Sequence, residues 1–179
     1  MYPFSDSDVS LLVEKLVNAT SSSDLFLVHS LLFPTPDPQT SSSSSTSTPI
    51  PLLVNIPDEN GWSPIHYCVT ARSPSSKVLD ALYLAGADLS LYTKNSEFTP
   101  LHALARYGGT GAAGGASFRL YSFLVHLVRD LGAPLSAVDV NGETCLHVAA
   151  RYAHCADVLM AFLECDEDGS IRKIRNNEG

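Results

Sequence analysis

The 179-residue sequence predicts an all-α fold of stacked helix-turn-helix repeats with short hairpin fingers, and three observations predict it. The first is self-similarity. "DENGWSPIHYCVTA" from Asp58, "KNSEFTPLHALARY" from Lys94 and "DVNGETCLHVAARY" from Asp139 each run from a polar turn to Ser or Thr, one residue, Ile or Leu, and His. The second is helical periodicity behind these stretches. It is clearest in Leu120, Phe123, Leu124, Leu127, Val128 and Leu131, which keep one face apolar over about four turns. The third is the absence of any sustained apolar–polar alternation of the kind that marks a strand.

Taken in chain order, Val9, Leu12, Val13, Leu16 and Val17 recur at helical spacing, with Ser5, Asp6 or Asp8 available as caps. Asp24 caps a second helical pattern from Leu25 to Phe33, and Pro34 stops it. Residues 34–51, "PTPDPQTSSSSSTSTPIP", cannot bury enough apolar surface to offset the entropy of ordering, so a disordered linker is expected there. The repeats follow. Ser63, Thr99 and Thr144 cap first helices expected at 64–71, 100–107 and 145–152. Pro64 and Pro100 occupy the first helical position, where the missing N–H costs nothing. Gly86 and Gly132 end the second helices of the first two repeats, and Asp130 falls inside the second of these. The division is therefore an N-terminal helix pair at 1–33, the linker at 34–51, and a repeat domain at 52–179. Its repeats lie at about 53–87, 88–133 and 134–170, with the start of another at 171–179.

A net charge of -8 argues against a nucleic-acid or anionic-membrane partner, both of which need clustered Lys and Arg. No window approaches the ~20 apolar residues of a membrane-spanning helix. The opening "MYPFSD" lacks the basic and apolar blocks of a secretory signal. Cys68, Cys145, Cys155 and Cys165 then read as reduced, packed thiols, which points to the cytoplasm or nucleus. The acidic Glu164–Asp168 and basic Arg172–Arg175 read together as a solvated loop.

"TPLHALA" at Thr99–Ala105, "GAD" at Gly86–Asp88, "DVNGETCLHVAA" at Asp139–Ala150 and the "AH" of Ala153-His154 resemble the ankyrin repeat. The resemblance covers about residues 53–179. It implies a solenoid with fingers along one edge and inner helices lining a concave face. It also implies that Ser63, His66, Thr99, His102, Thr144 and His147 are structural, with each histidine hydrogen-bonding neighbouring backbone to order the fingers. The N-terminal pair then reads as a degenerate capping repeat, and "RNNEG", Arg175–Gly179, as the start of a further finger in a longer protein. Departures include Cys145 in place of the usual proline, Glu97 at the usual glycine place beside a one-residue insertion, and about twelve extra residues in the second repeat.

Those extra residues include Gly109-Thr110-Gly111-Ala112-Ala113-Gly114, a literal G-x-G-x-x-G. A dinucleotide loop needs a strand before it, and this one follows a helix, so a nucleotide-binding enzyme segment is the alternative reading and not the first. No Ser, Cys or carboxylate stands at a spacing that marks a nucleophile and its base, and no metal site, cofactor or small-molecule substrate is expected. The chain reads as a non-enzymatic protein–protein interaction module, with a purely structural spacer as the competing reading. In the family, fingers and inner helices carry partner contacts. Trp62, Phe98 and Glu143 hold equivalent finger positions, and large aromatics there are candidate anchors. Tyr67, and the recurring pairs Arg106-Tyr107 and Arg151-Tyr152, are candidates on the inner helices; paired Arg and Tyr suit an acidic or phosphorylated peptide.

Overall fold

The computed structural model describes residues 6–33, 53–108, 117–152 and 156–179. The segment expected to be a linker, the 109–114 glycines, His154 and Cys155 lie outside the described residues. Among the described residues the helices are α1 (Asp6–Ser21), α2 (Leu25–Leu32), α3 (Pro64–Thr70), α4 (Ser76–Leu84), α5 (Pro100–Tyr107), α6 (Ser117–Val125), α7 (Cys145–Tyr152) and α8 (Ala156–Cys165). The β structure there is an isolated antiparallel bridge between Val138 and Thr144, at the base of a finger. The all-α repeat fold expected from the sequence is what the chain adopts.

The helices form two rows. α1, α3, α5 and α7 pack successively as the inner row, while α2 packs on α4 and α6 on α8 in the outer row. Between the rows lies one apolar core, which includes Leu16, Leu32, Ile65, Leu79, Leu104, Phe123, Val148 and Phe162. Full burial of such side chains stabilises by roughly 1.5–3 kcal/mol each. The N-terminal pair joins the same stack, α1 against α3 and α2 against α4. Asp24 caps α2 by accepting from the Leu27 N–H at 3.0 Å.

Each finger is closed by its own backbone and tied to the next. Asp58 and Asp139 carboxylates accept from the amides two and four residues on, at Asn60 and Trp62 and at Asn141 and Glu143. Thr93 takes this place in the second finger, where its hydroxyl accepts from the Phe98 N–H at 3.0 Å and absorbs the extra residue. Successive fingers are then linked by Lys94 N–H to the Asn60 carbonyl (3.0 Å), Val140 N–H to Ser96 (3.3 Å) and Asn177 N–H to Asn141 (3.0 Å). Gly61 and Gly142 have φ of +81° and +71°, and a Cβ at Gly61 would overlap the Lys94 backbone nitrogen. Glu97 accepts the same left-handed geometry, at φ +52°.

The histidines fix how one finger meets the next. Ser63 N–H donates to His66 Nδ1 at 3.2 Å, so that nitrogen carries no proton and the neutral ring donates from Nε2. Its acceptor is the Phe98 carbonyl of the following finger, at 3.1 Å. His102 repeats the device, accepting from Thr99 N–H at 3.3 Å and donating to the Glu143 carbonyl at 2.9 Å. His147 accepts from Thr144 N–H at 3.2 Å.

Two regions depart from expectation. The helix expected to run continuously through Asp130 changes at His126–Asp130 into a π turn, in which Leu127 is buried in the core. His126 thereby stands with Nε2 2.7 Å from Asp80 of α4 and Nδ1 2.6 Å from Asp130. The segment after α8 is not a merely solvated loop. The fully buried Asp166 carboxylate needs donors, and takes them from Ile171 N–H at 3.0 Å and the Arg172 Nε at 2.8 Å. Cys68 and Cys145 are buried free thiols, and burial pushes the Cys68 thiol up to about 12.

These histidines give the stability a pH dependence of known sign. Burial lowers the pKa of His66 and His102, against weaker opposition from the carbonyls they bind. Their neutral forms stabilise the fold fully above the unfolded value of about 6.5, and that contribution is lost as pH falls through the folded values. His126 is the opposite case. Desolvation opposes its charge but is outweighed by Asp130 and Asp80, which raise its pKa, so its contribution is complete below about pH 6.5 and lost as pH rises. Urea midpoints measured from pH 8.5 to 5 should therefore fall on the acid side, less steeply in His102→Gln, and the alkaline decline should weaken in His126→Gln. A parent midpoint that climbs steadily towards pH 5 would contradict this assignment.

Candidate functional site

Of the inner helices, α5 and α7 each run eight residues, and the last two side chains of each lie outside the core. α5 ends in Arg106 and Tyr107, α7 in Arg151 and Tyr152, and the two tyrosines are each more than a third exposed. Tyr67 sits a turn earlier on α3. Trp62, at the exit of the first finger, lies half-buried over them.

These residues make one line of contacts across the row. The Trp62 ring packs 5.4 Å from Tyr67 and 5.8 Å from Tyr107, centroid to centroid, both tilted by 50°. Tyr67 in turn donates its hydroxyl to Asp58 Oδ2 at 2.5 Å, and burial together with that carboxylate pushes the hydroxyl up to about 12. Arg106 and Tyr107 turn opposite ways from neighbouring positions. Tyr107 reaches back to Trp62, whereas the Arg106 guanidinium lies 3.5 Å above the Tyr152 ring of the next repeat. That separation is the thickness of two stacked π systems, so the guanidinium lies on the ring face. Arg151 flanks the same tyrosine at 5.9 Å.

The remaining candidates occupy different places. Phe98 is half-buried and stacks on its own His102 at 5.8 Å and 16°, so it covers the histidine and not the aromatic line. Glu143 points inward. It is 3% exposed, its carboxylate meets Arg151 Nη2 at 2.6 Å, and Asn176 Nδ2 approaches at 3.4 Å. Trp62 likewise packs on its own His66 at 5.7 Å, so the two aromatics share that contact; Trp62 in addition joins the aromatic line, and Glu143 turns inward. Ser63, Thr99 and Thr144 are buried at their helix starts, with His66 and His102 fully buried beside them.

Asp58 belongs to the line although the sequence suggested for it only a turn. Its spacing of nine residues from Tyr67 became a contact through the fold of the finger. Among the described residues no group of His, Cys, Asp or Glu side chains could hold a metal ion, and no helix is long and apolar enough to cross a membrane. What the surface offers chemically is flat aromatic area, one guanidinium held on a ring, and one guanidinium already joined to a carboxylate. Among known families, the ankyrin repeat matches residues 141–174, the stretch from the third finger through α7 and α8 to Ile174.

Trp62 is the one tryptophan of the chain, so its emission reports on this line of rings. Tyr107→Ala should shift that emission to the red and lower stability by about 0.5–1.5 kcal/mol, the worth of one aromatic pair. An unchanged emission maximum would mean that Trp62 and Tyr107 do not pack in solution.

Proposed function

We propose that this chain, an ankyrin-repeat protein, holds a partner protein along its inner-helix row and serves as the regulatory or targeting part of a longer protein. Ankyrin repeats are general protein–protein interaction modules and are typically non-enzymatic. The observation that carries the reading is the continuous line from Trp62 through Tyr107, Arg106 and Tyr152 to Arg151, which spans three repeats on one surface. Large flat rings and arginine supply most of the binding energy at interfaces, because they present wide contact area with few rotamers to freeze. The partner contact is an acidic or phosphorylated peptide segment, which the Arg106 guanidinium on its ring favours. α1 and α2 act as a degenerate capping repeat, a role their packing on α3 and α4 supports. The buried free thiols of Cys68 and Cys145 support a place in the cytoplasm or nucleus.

A spacer with no partner is the competing reading, and the half-burial of Trp62 among its own tyrosines is what favours it. Affinity capture with the parent and with a Trp62→Ala/Arg106→Ala double variant, matched by circular dichroism, separates the two. The proposal expects proteins retained by the parent and depleted at least tenfold from the folded double variant. Identical retention by both would move the contact off this surface, and retention by neither would favour the spacer.

A further inference from the structure

The two arginines of the line differ in a way that selects the partner. Arg151 has its counter-charge built in, at 2.6 Å on the almost fully buried Glu143. Arg129 and Arg172 are likewise paired, with Glu167 at 3.0 Å and Asp166 at 2.8 Å. Among the described residues Arg106 has no carboxylate partner. It is half-buried, and its guanidinium is pinned by Tyr152 at 3.5 Å with Tyr107 beside it at 5.8 Å. Stacking orients a guanidinium without neutralising it, and it leaves the N–H edge free for a two-pronged contact with an oxyanion.

Any segment that seats on Trp62, Tyr107 and Tyr152 must cover Arg106. Removing an unpaired guanidinium from water is costly unless the covering group brings a negative charge. No such demand arises at Arg151, because Glu143 already meets it. The overall charge of -8 acts against this local demand at longer range, repelling a run of acidic residues. Resting on the inner-row reading above, we propose that Arg106 is a single-anion subsite. It accepts one carboxylate or phosphate monoester side chain, carried by a peptide whose neighbouring residues are apolar or aromatic and pack on the flanking rings. Arg151 positions Tyr152 and does not select the ligand.

The test uses the full chain and four fluorescent nonapeptide mixtures, degenerate except for a central glutamate, phosphoserine, alanine or lysine, with binding read by anisotropy. Glutamate or phosphoserine mixtures should bind at least fivefold tighter than alanine and the lysine mixture weaker still. The tighter of the first two identifies the natural oxyanion. Arg106→Gln should erase the preference and Arg151→Gln should keep it. Arg106→Lys, which keeps the charge and loses the planar stack, should keep a reduced preference even if the glutamine variant folds poorly. Equal binding of all four mixtures would overturn the single-anion subsite and leave the inner-row reading standing. A preference that survives in Arg106→Gln and vanishes in Arg151→Gln would overturn it as well. Binding of none of the mixtures would sink both.

Discussion

The hydrogen bond from a histidine Nε2 to the carbonyl of the following finger is the constraint on which the arrangement rests. A finger is a few residues of polar turn with little apolar surface of its own, so it has no core to hold it. His66 and His102 solve this from inside. Each ring is buried, oriented through Nδ1 by the amide of its own helix start, and aimed at the next finger at 3.1 or 2.9 Å. Because Nδ1 must accept and Nε2 must donate, one neutral tautomer satisfies both ends. A buried ring with both nitrogens engaged costs little to desolvate, whereas the same ring protonated would leave Nδ1–H facing a donor.

That constraint reaches the surface through backbone. The carbonyl held by His102 belongs to Glu143, whose side chain anchors Arg151, and the carbonyl held by His66 belongs to Phe98, whose ring covers His102. Finger register and surface chemistry are therefore set by the same residues. The result is a line of rings whose charge is unevenly settled, with Arg151 neutralised from beneath and Arg106 stacked but, among the described residues, without a carboxylate. Geometry identical at the level of sequence yields two arginines with different capacity to meet a ligand.

Much of this was legible in the residues. The Ser/Thr-x-x-His spacing sets a cap and a buried ring on one turn, and Pro64 and Pro100 sit where a helix begins, so α3, α5 and α7 could be placed almost to the residue. Gly86 and Gly132, at φ +91° and +75°, marked the ends of the outer helices. The π turn at His126–Asp130 was not legible, because its apolar periodicity is that of an ordinary helix and the Asp80 that His126 meets is far away in the chain. Direction was illegible too. Arg106 and Tyr107 are adjacent, and only packing against neighbouring repeats shows one reaching forward to Tyr152 and the other back to Trp62. Glu143 looked like a surface finger residue because nothing in sequence brings Arg151 over it.

Amide hydrogen exchange in His102→Ala, with His29→Ala on α2 as a control, tests the central constraint most directly. Loss of one buried histidine contact should speed exchange across residues 139–144 by roughly tenfold, while peptides within residues 6–32 keep their parent protection. Unchanged protection at 139–144 in a folded His102→Ala protein would contradict the account, since the third finger would then be held by something other than the histidine beneath it.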